Sequence, residues 1–286
     1  VVYGLILRFY SKLLVLLFIQ IVRINGVRMK IKILIAAHKK FPMPTADGYL
    51  PVLVGAKKNY RSDITYQRDD EGDNISEKNP NYNELTAIYW AWKNLKDVDA
   101  VGLVHYRRLF FDKKPYTLDN VMGMEKVGQL LQEYEVLLPK KRNYYIETNY
   151  SHYIHAHHKE PLDKTRKIVE QSYPAYLNAF DKVMKNRKAH MFNMFIMKRD
   201  AFDSYCNFMF GVLDKLEREI DISGYSVQEA RVFGYISELL MDVWLYTTKE
   251  KYREIPWSQI GSKHLVKKAF SFVNRKFGIG KKQTHF

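Results

Sequence analysis

Between residues 31 and 139, apolar runs of strand length alternate with longer stretches of helical periodicity, and this alternation restricts the chain to an α/β fold more than any other feature. "IKILIAA" (31–37) reads as a buried strand, and "PVLVGA" (51–56) as a shorter one. In "NYNELTAIYWAWKNL" (81–95), Leu85, Ile88, Tyr89 and Trp92 recur at i, i+3, i+4 and i+7, the stripe of an amphipathic helix. Asn81 and Glu84 stand at capping-box spacing and predict that the helix starts there. A strand in "VGLVHYRRLF" (101–110), a helix in "MEKVGQLLQEY" (124–134) and a strand in "EVLLP" (135–139) continue the pattern. The expected fold is a mainly parallel central sheet flanked by helices, with ligands bound beyond the carboxyl ends of its strands.

The second half is richer in helix. After a polar, His-rich stretch (140–160), "LDKTRKIVEQSYPAYLNAFDKVMKN" predicts helices interrupted near Pro174. "HMFNMFIMKRD" (190–200) reads as a compact apolar strand. "DAFDSYCNFMFGVLDKLEREI" and "SVQEARVFGYISELLMDVWLYT" read as long amphipathic helices. No repeat or low-complexity linker divides the chain, so the economical organisation is one domain over 29–260 with basic extensions at both ends.

With 286 residues the chain can bury a sizeable core, and the single cysteine, Cys206, excludes an internal disulfide framework. The formal net charge of +15 resides at the ends: no acid precedes Asp47, and none follows Gly261. In 261–286, lysines and arginines interleave with Leu265, Val266, Phe270, Phe272, Val273, Phe277 and Ile279. Such a segment suits an anionic membrane surface, each basic residue contributing about 1 kcal/mol. A nucleic-acid-binding tail and a merely soluble tail are the competing readings. At the other end, "LLVLLFIQIV" (13–22) is too short to span a bilayer, which takes ~20 apolar residues. Residues 1–28 are then an amphipathic membrane-surface anchor or an over-extended start, and Met29 opens the folded domain.

Common nucleotide and hydrolase signatures, including the P-loop, G-x-G-x-x-G, G-x-S-x-G and H-E-x-x-H, are absent. What remains is a set of polar clusters. His105, Arg107 and Arg108 end a strand where an α/β sheet presents its ligands, and guanidinium groups suit the oxygens of a diphosphate. The functional reading is a phosphate clamp; the alternative is two surface arginines on a turn with His105 packed in the core. "QRDDEGDNIS" (67–76) could hold Mg²⁺ or Mn²⁺, or accept from sugar hydroxyls through Asp73 or Asn74, although a solvated acidic turn is the commoner outcome. His152, His155, His157 and His158 fit no standard zinc spacing and suggest a mobile loop contacting substrate, or a plain surface loop. Gln228, Glu229, Arg231 and Glu238 lie on the last helical stretch, where a carboxylate could serve as a general base and surface charge is the bland alternative.

Taken as a set, "KIKILIAAHK", "GDNISEKNPNYNELTAIYWAWKN", "VGLVHYRRLF", "HMFNMFIMKRDAFDSYCNFMF" and "QEARVFGYISELLMDVWL" resemble, in the same order, the bacterial family of capsular and exopolysaccharide glycosyltransferases catalogued as a domain of unknown function. The similarity spans about residues 30–258 and rests on five separated blocks. It implies a GT-A-like nucleotide-sugar-binding fold and transfer of galactose, galactofuranose or a related sugar from a UDP-sugar to a lipid-linked oligosaccharide. A cytoplasmic enzyme, peripheral on the inner face of the membrane, is expected, and because the chain shows no recognisable nucleic-acid-binding module no nucleic-acid partner is expected. Where ordinary GT-A enzymes carry an Asp-x-Asp metal motif, this chain has His105, Tyr106, Arg107 and Arg108, so no metal ligand is assigned. On this resemblance Ala37 and His38 line the nucleoside site, and Tyr106, Asp73, Asn74, Asn83 and Glu84 border the donor. His152, His155, Asn193, Met194, Gln228 and Arg231 lie toward the acceptor, and Glu229 is the candidate base. The rival reading is a non-catalytic basic protein binding nucleic acid or anionic polysaccharide.

Overall fold

The computed structural model describes residues 29–260. Both terminal segments, 1–28 and 261–286, with the membrane roles expected of them, lie outside the described residues. In chain order the elements are β1 (Ile31–Ala37), β2 (Tyr49–Leu53), α1 (Ala56–Asn59), β3 (Gln67–Arg68), α2 (Asn79–Tyr82), α3 (Leu85–Asn94), β4 (Ala100–His105) and β5 (Arg108–Phe110). Then follow α4 (Met124–Glu133), β6 (Val136–Pro139), β7 (Arg142–Asn143), α5 (Asn149–Ala156), α6 (Lys159–Ser172), α7 (Leu177–Lys185) and β8 (Lys188–Ala189). The chain continues through β9 (Phe195–Lys198), α8 (Arg199–Glu219), α9 (Val232–Thr248), β10 (Tyr252–Ile255) and β11 (Trp257–Gln259).

The central sheet runs β10-β6-β9-β4-β1-β2-β3. Along this path the strands are parallel except for β9, which pairs antiparallel with both β4 and β6, while off the path β5 pairs antiparallel with β4 and β11. Strand β1 shows why the sheet is the middle layer. Ile31, Ile33 and Ile35 pack into a cluster with Val127 and Leu131 of α4, while Leu34 and Ala36 face the larger cluster built with α3 and α5 to α9. That two-sided burial is the physical meaning of a continuous apolar run. Gly102 lets β4 sit tightly between its neighbours, since a Cβ there would lie 3.0 Å from Ile196 and 3.1 Å from Ile33. On the helical side, α9 is buried along every residue from Val232 to Leu245, as expected of a helix apolar on nearly all faces. Cys206 is buried and free.

Four sequence expectations differ from the structure. The helix expected from Asn81 is broken at Asn83, whose backbone turns to φ 51°, so the Asn81–Glu84 capping box does not form. Tertiary partners take both side chains instead: Asn81 donates to the Ala230 carbonyl (2.9 Å), and Glu84 accepts from Asn193 (2.7 Å). The strand expected over 190–200 is confined to β9, because Phe192 and Asn193 both adopt positive φ. The His-rich stretch expected as a loop contains helix α5, started by a Thr148–Ser151 capping box. The long last helix is preceded by a 3₁₀ turn over Glu229–Arg231. Among the described residues, no helix is long and apolar enough to cross a membrane.

Candidate active site

At the carboxyl edge of the sheet lies a cavity of about 530 Å³. Its floor is the end of β1, through Ala36, Ala37 and His38, and the end of β4, through His105 and Tyr106. Asn79, Asn83 and Glu84 form one wall, while Gln228, Arg231, Gly234, Tyr235 and Glu238 form the other. The walls meet closely because residue 234 is glycine: a Cβ there would lie 2.4 Å from the Asn83 amide nitrogen. Asn83 in turn accepts from Arg231 Nε at 2.8 Å, so the break before α3 and the start of α9 hold each other.

The polar end of the fourth strand is a tight reversal. β4 and β5 pair antiparallel with His105 opposite Arg108, leaving Tyr106 and Arg107 as the two residues of the turn. The two arginines, adjacent in sequence, therefore part company. Arg108 lines the cavity with its guanidinium 4.5 Å from the Phe192 ring, whereas Arg107 is exposed at the rim, stacked near Tyr106 (5.1 Å) and Phe41 (5.8 Å). Phe41 and Tyr106 stack at 3.6 Å, with the His38 ring edge-on to both. Burial, Lys39, Arg107 and Arg231 all depress the His38 pKa. His105 Nε2 lies 2.6 Å from the Phe192 carbonyl oxygen, and burial lowers the imidazole pKa, so the neutral form is favoured. In that state it donates to the carbonyl through Nε2.

Two carboxyl groups face these cations. Glu84 is oriented by the Asn193 amide, which also donates to the Gly234 carbonyl (3.3 Å) and accepts from Ser237 (3.0 Å). Glu238 is buried and accepts from the Phe192 N–H at 2.9 Å. Burial and the nearby Glu84 raise its pKa to about 8, against the pull of Arg108 and Arg142, so it is largely protonated at neutral pH. Glu238, holding its proton, can donate to a ligand, while Glu84 stands across from it as a second carboxyl group fixed by an amide.

The remaining sequence-predicted residues fall elsewhere. Asp73 is exposed and accepts from Tyr89 (3.3 Å), and Asn74 folds back on its own loop, donating to the Gly72 carbonyl at 2.8 Å; neither lines the cavity. Glu229 also lies outside the lining, accepting from the backbone and hydroxyl of Ser226 and facing His158 at 3.1 Å. Met194 is core, on the opposite face of the sheet. His152 and His155 both engage Glu147, each at 2.7 Å, while His157 stacks on Tyr235 of the cavity wall at 4.0 Å. Asn193 reaches the cavity through its bond to Glu84. Sequence reasoning named Glu229 rather than Glu238 as the candidate base and passed over Phe192, Gly234 and Phe41. One signal was available for the helix: Gly234, Glu238 and Asp242 recur at i, i+4 and i+8, a small and polar stripe on an otherwise apolar helix.

The donor set does not fit a divalent cation at the end of β4, where an imidazole and guanidinium groups stand instead of carboxylates. The acidic loop is occupied as well: Asp70 forms a two-pronged bond with Arg68 at 2.7 and 2.8 Å, and Glu71 accepts from Gln67. Among the described residues, no group of three or more His, Cys, Asp and Glu is arranged to hold a metal.

A family profile described as a domain of unknown function, DUF4422, matches residues 32–250. The chain belongs to this family. No curated protein sequence matches it. Among solved structures, the apo form of the bifunctional glycosyltransferase WbbM aligns with a TM-score of 0.74 and 30% identity, over 82% of this chain and 46% of that one. The DUF4422 chain described here thus spans about half the length of WbbM, and it shares with it a GT-A-like layout of mainly parallel sheet between helices.

Proposed function

We propose that this DUF4422 protein is a glycosyltransferase that moves a hexosyl group from a nucleotide diphosphate sugar to a hydroxyl acceptor. The observation that carries the reading is the β4–β5 reversal. It aims Arg108 into a cavity at the carboxyl edge of a glycosyltransferase-like sheet, opposite two carboxyl groups. In this reading the diphosphate lies along Arg108 and Arg231, and the nucleoside lies by Ala37, His38 and the Phe41–Tyr106 stack. Glu84, held by Asn193, accepts the proton of the acceptor hydroxyl. That oxygen bonds to the anomeric carbon as the carbon–oxygen bond to the diphosphate breaks, and the electron pair leaves on the nucleoside diphosphate. The fixed guanidinium groups stabilise this departing charge in a partly dry site. Glu238, held neutral, donates to substrate oxygens.

Galactose or galactofuranose carried by UDP is the proposed donor, and a lipid-linked oligosaccharide of capsule or exopolysaccharide synthesis is the proposed acceptor. Such an acceptor places the protein at the cytoplasmic membrane surface. Calorimetry with UDP, followed by a screen of UDP-sugars for hydrolysis or transfer detected by NMR, tests the assignment. UDP binding that Arg108→Ala weakens, with turnover of at least one UDP-sugar, is the expected outcome. A folded protein that binds neither UDP nor another nucleoside diphosphate would sink it.

A further inference from the structure

The hairpin that follows β6 carries a second feature of the same edge. Strand β6 runs parallel to β4 through the antiparallel β9 between them, so Pro139 and the following Lys140 emerge on the side where His105 enters the cavity. Strands β7 and β8 then pair, with Asn143 opposite Lys188, and project the loop between β7 and α5 from that edge. Its tip is Tyr145 and Ile146, with 75% and 53% of their surfaces exposed. These are apolar groups that a soluble loop gains nothing by displaying side by side. The tip is built rather than loose: Tyr145 holds φ 58°, its N–H donates to Asn143 Oδ1 (3.0 Å), and Arg187 donates to its carbonyl (3.1 Å).

Beside this tip stand Arg187, bonded to the Tyr145 carbonyl, and Lys188, paired with Asn143, with Lys140 at the base of the hairpin; all three are exposed. Among the described residues no carboxylate pairs with any of the three. The nearest acid of the loop, Glu147, is turned inward and bridged by His152 and His155. A protruding aromatic–aliphatic pair flanked by uncompensated cations is complementary to an anionic bilayer: the side chains enter the headgroup region and the cations meet lipid phosphates. Val227, 88% exposed at the cavity mouth, gives the same edge another apolar point.

We propose that the loop between β7 and α5 is a membrane-docking element, inserting Tyr145 and Ile146 into an anionic lipid surface so that the cavity mouth faces the bilayer. The docking does not depend on the transfer reaction, and its test reads lipid contact rather than turnover.

The full chain is mixed with vesicles of phosphatidylcholine and phosphatidylserine, and a nitroxide is placed by Ile146→Cys or, as reference, by Lys96→Cys at the opposite edge of the sheet. Cys206 is buried and leaves the engineered thiol as the accessible one. On vesicle-bound protein, the label at 146 should gain access to oxygen and lose access to a water-soluble nickel chelate, while the label at 96 stays aqueous. Because only insertion of this loop changes the contrast, vesicle binding through the basic terminal segments does not mimic the result. The double substitution Tyr145→Asp with Ile146→Asp should weaken partitioning by about tenfold or more, since two inserted groups are lost, with unchanged thermal unfolding. A label at 146 that behaves like the one at 96, whether the protein binds vesicles elsewhere or not at all, overturns the assignment. So does a label at 146 that becomes immobilised without contact to lipid, the outcome expected of a protein or polysaccharide partner.

Discussion

Two buried carboxyl groups, Asp69 and Glu238, serve opposite ends. Asp69 is fully enclosed and accepts from the Gly55 and Ala56 N–H groups (2.7 and 2.9 Å) and from the hydroxyls of Ser76 and Thr86 (both 2.6 Å). Every lone pair of consequence is used, and the carboxylate fastens the β2–α1 connection to α3. Glu238 faces a cavity and is given one backbone N–H by the chain. The first is a finished structural joint, the second a polar group whose remaining bonding capacity is available to a ligand. Saturation by the protein's own donors, more than burial or charge, separates a carboxyl group that builds the fold from one that can act.

The contrast is most exposed to test at Asp69. Asp69→Ala strands two N–H groups and two hydroxyls in the interior and should cost about 3–5 kcal/mol of stability, since a buried donor left without a partner costs about 1–3 kcal/mol and the hydroxyls can turn to other acceptors, read by chemical denaturation. A loss under a third of that range would mean that the joint is not what fastens α3. On the cavity side the corresponding loss is kinetic. Arg108→Ala should raise the barrier for transfer by about 2.7–4 kcal/mol, as for removal of a single charge-stabilising donor, with little change in unfolding. Arg107→Ala, at the rim, should reduce turnover by under about tenfold. Equal effects of the two arginine variants would show that the reversal between β4 and β5 does not sort them.

Much of this arrangement could be read from the residues themselves. The runs at 31–37 and 101–105 are apolar on both faces, so burial between two layers dictates strands with few alternatives. What could not be read is how long-range contacts override local preference. Asn81 and Glu84 have capping-box spacing, yet each finds a stronger partner more than a hundred residues away, and the chain breaks at Asn83 to satisfy both. Nothing in "HYRRLF" carries the glycine or asparagine of an ordinary two-residue hairpin, so the reversal that separates Arg107 from Arg108 is imposed by β11 pairing with β5. The acidic run at 69–73 shows the opposite case, where a conspicuous cluster is absorbed by donors that sequence alone does not place nearby.

Glu238 offers a test in which pH is the variable. Its pKa is raised to about 8 in the fold, so between the unfolded carboxyl range and that value the native state holds a proton that the unfolded state has released. The unfolded state binds fewer protons, and stability falls as pH rises through this window, with a slope of up to about 1.36 kcal/mol per pH unit. Glu238→Gln mimics the protonated form and removes that slope. The difference in stability between the variant and the parent protein should therefore grow from pH 5 to pH 8 and level off above it. A constant difference would place an ionised Glu238 in the fold and dissolve the division of roles between it and Glu84.

Thr86→Val is expected to change stability less than Asp69→Ala does, and it bears most directly on what saturation means. The substitution keeps the branched shape of the side chain and removes one of the four donors to Asp69, leaving the other three in place. Loss of a hydrogen bond to a charged group costs about 1.5–3 kcal/mol when its partner is left unpaired, and the low end applies where neighbouring donors still hold the carboxylate. Transfer kinetics should not change, because Thr86 is buried and does not line the cavity. If the variant instead lowered turnover while keeping its stability, the Asp69 joint would be coupled to the placement of Asn83 and Glu84, one turn earlier in the chain. The two carboxyl groups would then belong to a single device rather than to separate structural and chemical ones.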